Sequence, residues 1–393
     1  MDLKFDPLEK SYVSNPYEFF ADLRKDQPLF NSGYKTWILS RYSDIIAALG
    51  SPHLNTEPSN FAVIGRRNIE RFTCASVASN IIPYLSGLEH RIPRKIFSRH
   101  FIKAQAKLDE TITTIADELV DECMGLSEFD AVEKLARPYS IRVISKLIGI
   151  PEKDYPIVDQ LSPWFFYIFA YIPTKELLHE VNHNLDLFRR YFQELLQTKR
   201  EQPGDDMISK LAMESELPDE QIVDNLMLFY SDGVENVDSG IANGIYSILQ
   251  HPDQHDSLRS NIGLTTTAVD ECLRFESPGQ FVGRQVTWDH NLLGHEVKKG
   301  DVILLMVGSG NRDEQIFEHA DQFNIRRSPN PQIAFGQGTH NCVGRILVEK
   351  EMKILFESLF QRKEQLELLD PLPDWDARIG HRWMRSLHLG VKH

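Results

Sequence analysis

Residues 335–345 read FGQGTHNCVGR: a cysteine, a histidine and three glycines ahead of an apolar, charged run at 346–360. Four kinds of chemistry suit such a stretch. A zinc site would use His340 and Cys342, but zinc wants four ligands in short-spaced pairs, and no second pair of fitting spacing lies nearby. A thiol nucleophile would want the lowered pKa of a helix N-terminus and a histidine base. A buried structural thiol is the plainest reading of any single cysteine. The fourth reading uses more of the residues. A thiolate would be held by the dipole and N–H groups of the helix predicted after Gly344, while Gly338 and Gly344 let the backbone pass close to a large flat object. Such a thiolate suits the axial position of a haem iron.

Other residues carry charge at telling spacings. Glu271 and Arg274, in DECLRFESP, stand at i and i+3 on a predicted helix. Alone they describe an exposed ion pair worth about a few tenths of a kcal/mol. His90 and Arg94, at i and i+4, share one helical face. Residues 91–103 hold Arg91, Arg94, Lys95, Arg99 and Lys103 and no acid, in a chain of formal net charge −14. They form either a solvated basic face or a docking patch for an acidic partner. Farther on, Asp232, Glu235, Asn236, Ser239 and Asn243 fall along one stripe of a helix that is otherwise apolar on most sides. Such a stripe is either an exposed polar face or a buried row that needs partners or water.

The loop resembles the haem-binding signature of the cytochromes P450, Phe-x-x-Gly-x-His-x-Cys-x-Gly, at Phe335, Gly338, His340, Cys342 and Gly344. The resemblance runs from about residue 16 to the C-terminus, with its elements in family order. It implies haem b as cofactor, Cys342 as the metal ligand, Phe335 beside the sulfur and His340 at a propionate. It also implies that Arg284, in FVGRQVT, and the pair His90 and Arg94 serve the propionates, since buried carboxylates need charged or hydrogen-bonded partners. Glu271 and Arg274 resemble the family's structural Glu-x-x-Arg clamp, which ties to a later loop arginine. FNIRRSP offers Arg326 or Arg327, and Arg327 is expected.

The polar stripe resembles the family's oxygen-activation helix, usually Ala/Gly-Gly-x-Asp/Glu-Thr. Here DGVEN matches at Gly233 and Glu235 and departs at Asp232 and Asn236. The usual Thr hydroxyl helps steer protons, whereas an amide donates a hydrogen bond without relaying a proton in the same simple way. Asn236 is therefore expected to hold a water that does so. Asp232 is expected to face the pocket, with a raised pKa or a cationic or hydroxylated partner. Asp232, Glu235 and Asn236 are the catalytic candidates.

These residues need elements to position them. Periodicity predicts helices over 16–26, 101–124, 183–200, 219–249 and 266–275, and one starting just after Gly344. Residues 285–307 read as short strands with turns at Gly294 and Lys299-Gly300. Residues 55–88 read as loop with short helix. Residues 163–174, PWFFYIFAYIPT, crowd aromatics between prolines, and Trp164, Phe165, Phe166, Phe169 and Tyr171 are either core or a mobile lid. The expectation is a mainly α chain with a small β-rich region, the cytochrome P450 fold, as a single domain over 1–393 with no flexible linker.

Composition narrows the function. With 393 residues and 41% hydrophobic content the chain has ample core, and its acidity argues against nucleic acid as partner. Its four cysteines form no CxxC pair, the N-terminus has no signal-peptide core, and no apolar run is long enough for a membrane span. A cytoplasmic protein is expected. The resemblance implies a monooxygenase that puts one oxygen atom from O2 into a small molecule, with secondary metabolism as the expected setting, and an aromatic lid over 163–174 would suit a bulky apolar or amphipathic substrate. Electrons would come from a separate ferredoxin- or flavodoxin-type partner docking near Arg91, Lys95 and Arg99. The departure at Asn236 leaves peroxide-driven oxidation, coupling or desaturation as other outcomes, and a haem-binding sensor is the non-enzymatic alternative.

Overall fold

The computed structural model describes residues 5–393 apart from 60, 61, 171, 173 and 215, so Tyr171 of the aromatic set lies outside the described residues. Helices dominate and the strands are short. The chain gathers into two compact units, each built from separate stretches. The first is Met1–Leu54, Ile112–Tyr139 and Asn236–His393; the second is Asn55–Thr111 and Ser140–Glu235.

The first unit contains a five-stranded sheet ordered Leu29–Gly33, Thr36–Leu39, Val302–Leu305, Val282–Val286 and Leu54–Asn55. Thr36–Leu39 runs parallel to Val302–Leu305, and Val282–Val286 runs antiparallel to it. Alternate residues point inward, so Trp37, Leu39, Ile303 and Leu305 join Ile45 and Ile333 in one apolar cluster. Arg284 stands on this sheet opposite Ile303. Helix Arg345–Phe360 starts directly after Gly344 and buries Leu347, Glu351, Met352, Leu355, Phe356 and Leu359 at helical spacing.

In the second unit, helices Gly87–Gln105, Tyr155–Phe165 and Lys175–Glu201 surround the first half of Asp219–Gln250 with aromatic contacts such as Phe97 to Phe229 at 5.2 Å. Asp224, fully buried, is held by Arg189 through two 2.8 Å bonds and by Asn80 at 2.8 Å. Asp219 and Glu220 occupy the first turn of Asp219–Gln250, where the helix dipole favours acids. Pro252 opens the helix that follows.

Two expectations change. The single helix over 101–124 is two helices, Gly87–Gln105 and Asp109–Met124. The apolar period runs through the break because Leu108 stays buried at the turn. The aromatic segment divides: Phe165 and Phe166 are core, whereas Trp164 and Phe169 are half-buried. Tyr167, not singled out from sequence, lies tilted against Trp164 with ring centroids 5.7 Å apart. Among the described residues no helix is long and apolar enough to cross a membrane.

Candidate active site

Four cysteines compete for the chemistry of a thiolate, and burial separates them. Cys74, Cys123 and Cys272 are buried; Cys342 is exposed. Loss of hydration pushes the Cys74 thiol up to about 11 and the Cys123 thiol up to about 12, and it also raises that of Cys272 well above its ordinary value. Those three stay protonated and inert. Cys342 lies three residues before the helix Arg345–Phe360. Its N–H donates to the Phe335 carbonyl at 2.9 Å, which folds the loop back on itself. Gly336 and Gly338 make that reversal with φ of +65° and +80°, a region most side chains avoid. His340 ends the short turn Gly338–His340. The Arg345 guanidinium lies 5.6 Å from the Phe335 ring centroid.

Glu271 and Arg274 are fully buried, so they are no surface pair. Arg274 grips Glu271 through two bonds of 2.7 and 2.8 Å. Its other N–H groups donate to the carbonyls of Asn311, Ala320 and Gln322. Arg327 reaches Glu271 at 3.0 Å, while its neighbour Arg326 is exposed. The Asn324 N–H and the Asn330 amide also donate to Glu271. This clamp fixes the segment between the helix Thr265–Phe275 and the cysteine loop.

The long helix is buried almost throughout 222–248. Its accessible residues there are Phe229, Asp232, Gly233 and Asn236, at i, i+3, i+4 and i+7, which makes one open face. Gly233 packs closely on a neighbour: a Cβ there would come within 2.6 Å of the Ile144 side chain, which would have to shift. Asp232 is half-buried, and loss of hydration pushes its carboxyl from 3.8 up to about 7. Glu235 does not share this face. It is buried, and the Ser162 hydroxyl donates to its carboxylate at 2.8 Å. Farther along, Ser239 donates to Asp238, Asp238 pairs with Arg137, and Asn243 donates to the carbonyls of Glu276 and Arg382. The polar stripe is therefore a buried, partnered row with one opening at Asp232 and Asn236.

The cytochrome P450 family model matches residues 104–367. The chain belongs to the cytochrome P450 family. The biotin biosynthesis cytochrome P450 of Bacillus subtilis is 30% identical over 98% of this chain and 99% of the relative. The polyketide biosynthesis cytochrome P450 PksS of the same organism is 29% identical over 99% of both. Among solved structures, P450BioI in complex with an acyl carrier protein ligated to hexadec-9Z-enoic acid superposes with a TM-score of 0.91 at 28% identity, covering 97% of this chain and all of that one. The protein is thus a P450 oxidoreductase of the mainly α fold, and the family's cofactor is haem.

The side chains present fit that cofactor. Besides the accessible thiol, Arg284 is a half-buried cation, and partial loss of hydration pushes it down to about 10. Its guanidinium donates to the Gly283 carbonyl, and among the described residues no carboxylate pairs with it. A desolvated guanidinium of that kind asks for an anion. In the second unit, His90 and Arg94 lie one turn apart on helix Gly87–Gln105. His90 is buried, and burial together with the Arg94 charge lowers its pKa, so the ring is a neutral hydrogen-bonding group at pH 7.

Sequence reasoning missed two residues of this P450. Ser162 had no local signal, because its bond to Glu235 spans 73 positions. Glu351 did have one. It stands four after Leu347 and four before Leu355 on the apolar side of its helix, it is buried, and desolvation raises its carboxyl well above the usual range. The Tyr139 hydroxyl donates to its backbone carbonyl.

Proposed function

We propose that this P450 is a haem b monooxygenase of secondary metabolism. The observation that carries the reading is the single accessible thiol, Cys342, in a glycine-bearing loop directly ahead of a 16-residue helix. Bound haem supplies the activation of O2 and the insertion of one oxygen atom into a C–H or C=C bond. Cys342 would ligate the iron as a thiolate, which the helix N-terminus favours. Phe335 would shield the sulfur from water, and Gly338 and Gly344 leave room for the flat ring. Arg284, His340, His90 and Arg94 would hold the propionates, Arg284 by charge and His90 by hydrogen bond. The test is the spectrum of the reduced protein with carbon monoxide. The red-shifted band of thiolate ligation is expected; a band typical of histidine ligation, or no haem, would refute the reading.

The open face of the long helix manages protons. Asp232 and Asn236 sit one turn apart, so a water bonded to the amide lies within reach of the carboxyl. With its midpoint near 7, Asp232 is a neutral acid below that pH and a carboxylate above it. Turnover that draws on the acid should fall as pH rises through about 7, and Asp232→Asn should flatten that limb. The same shift affects stability. The folded pKa lies above the ordinary value, so the folded state loses stability as pH rises from 3.8 and the loss is complete above about 7. Asp232→Asn should therefore stabilise the protein at pH 8 and leave it unchanged at pH 3.

We further propose a bulky apolar or amphipathic substrate. The half-buried rings of Trp164, Tyr167 and Phe169 support this, as do relatives named for biotin and polyketide biosynthesis. The electron donor would be a ferredoxin- or flavodoxin-type protein, met in the cytoplasm, docking on helix Gly87–Gln105. Arg91 and Lys95 are exposed there beside Leu88 and Ile92, a basic face with apolar contacts. Arg99 is partly committed elsewhere, since it pairs with Glu214. Reversing both Arg91 and Lys95 to Glu should slow electron transfer by about tenfold or more at low salt, and the difference should shrink as salt rises. Equal loss at all salt concentrations would count against docking there.

A further inference from the structure

One residue of the first unit bonds both to the buried clamp and to the chain that enters the cysteine loop. Asn311 follows the short helix Val307–Gly310 and is fully buried. Its N–H, carbonyl, Oδ1 and Nδ2 each make a bond. The N–H donates to the Val307 carbonyl at 2.9 Å, and the Asn311 carbonyl accepts from Arg274, the centre of the clamp, at 2.8 Å. Oδ1 accepts from the Ile333 N–H at 2.8 Å. Nδ2 donates to the Ser277 hydroxyl oxygen at 2.9 Å, and that hydroxyl donates in turn to the Leu273 carbonyl at 2.7 Å. A backbone N–H can only donate, so the amide must present its oxygen to Ile333 and its nitrogen to Ser277. Alanine at 311 would leave the buried Ile333 N–H without an acceptor, and aspartate would have no proton for Ser277.

From Ile333 the constraint passes along the backbone to the sulfur. The Ile333 carbonyl accepts from the Gly336 N–H at 2.9 Å, where the reversal at Gly336 and Gly338 begins. The Phe335 carbonyl then accepts from the Cys342 N–H at 2.9 Å. The Ile333 side chain is buried in the apolar cluster of the five-stranded sheet, so the loop has one fixed end there. We propose that Asn311 is a positioning residue that ties the entry of the cysteine loop to the clamp of Glu271, Arg274 and Arg327, so that the clamp sets where Cys342 stands. This rests on the reading of Cys342 as the iron ligand. Groups that orient a ligand atom without touching the metal govern how well it binds. Here that orientation runs through one amide oxygen. Without it a buried N–H is left unsatisfied, and the penalty favours local opening of the loop over its closed form.

Hydrogen exchange of the full-length protein, followed by mass spectrometry, tests this. In Asn311→Ala the amides of 333–342 should exchange at least about tenfold faster, while those of 346–360 in the following helix keep their wild-type rates. Ser277→Ala removes the partner of Nδ2 and leaves Oδ1 on Ile333, so it should protect 333–342 as the wild type does. Unchanged rates in Asn311→Ala, equal acceleration across 333–360, or the same acceleration in Ser277→Ala overturns the proposal. If Asn311→Ala does not fold, Asn311→Asp decides. It keeps the Oδ1 acceptor and should protect 333–342, and faster exchange there overturns the proposal. In haem-loaded protein reduced under carbon monoxide, Asn311→Ala should show a smaller share of the thiolate-type band than Asn311→Asp; equal shares count against the tie. Absence of that band from the wild type would instead overturn the monooxygenase reading.

Discussion

With Cys342 replaced by alanine, the reduced protein is expected to give no thiolate-type band with carbon monoxide, and oxidation should fall to background. Enzymes commonly accelerate their reactions by about a millionfold or more, so the expected loss exceeds about three orders of magnitude. The reason is that nothing else in the chain can take the sulfur's place. Cys74, Cys123 and Cys272 are buried, and their raised pKa values keep them as thiols. The loop itself should survive, because its fold rests on backbone: the bond from the residue 342 N–H to the Phe335 carbonyl and the reversals at Gly336 and Gly338. Cys342→Ala should therefore unfold near the wild-type temperature when both are compared without haem. Cys342→His should give the spectrum of imidazole ligation with little or no turnover. A retained thiolate-type band in Cys342→Ala would rule out Cys342 as the ligand.

Much of this site could be read from local pattern, for reasons that differ by residue. The Cys342 loop is legible because its requirements are local: turn glycines, a histidine and a cysteine within eleven residues, then a helix. The long helix is legible because 32 consecutive residues carry one period. What stayed hidden depends on contacts between distant segments. Glu235 and Asp232 look alike in the sequence, two acids three residues apart on a polar stripe. The Ser162 hydroxyl, from another helix, bonds to Glu235, a contact that no local pattern announces. The break at 106–108 was hidden for a related reason. Helix periodicity continues through a turn when the turn residue is itself apolar, as Leu108 is. Glu271 and Arg274 show the limit from the other side. Their spacing describes a weak surface pair, and burial turns the same spacing into a structural centre.

That burial sets the second large effect. Glu271→Gln is expected to destabilise the folded protein by about 3–5 kcal/mol, the usual cost of breaking a buried pair by removing one partner. The geometry makes Glu271 the worse loss of the two. Arg274 and Arg327 both bond to it, so removing the carboxylate leaves two guanidiniums facing each other's charge without compensation. Removing Arg274 leaves Glu271 still paired with Arg327, but strips donors from the carbonyls of Asn311, Ala320 and Gln322. Arg274→Lys keeps the charge and cannot reproduce that fork, so it should fail nearly as badly as Arg274→Met. Arg326→Ala, one position from Arg327 and exposed, should stay within about 0.5 kcal/mol of wild type. Urea unfolding midpoints and the fraction of soluble protein that takes up haem would rank these variants. If Glu271→Gln matched Arg326→Ala in both, the clamp would contribute nothing to the stability of the segment that leads to Cys342.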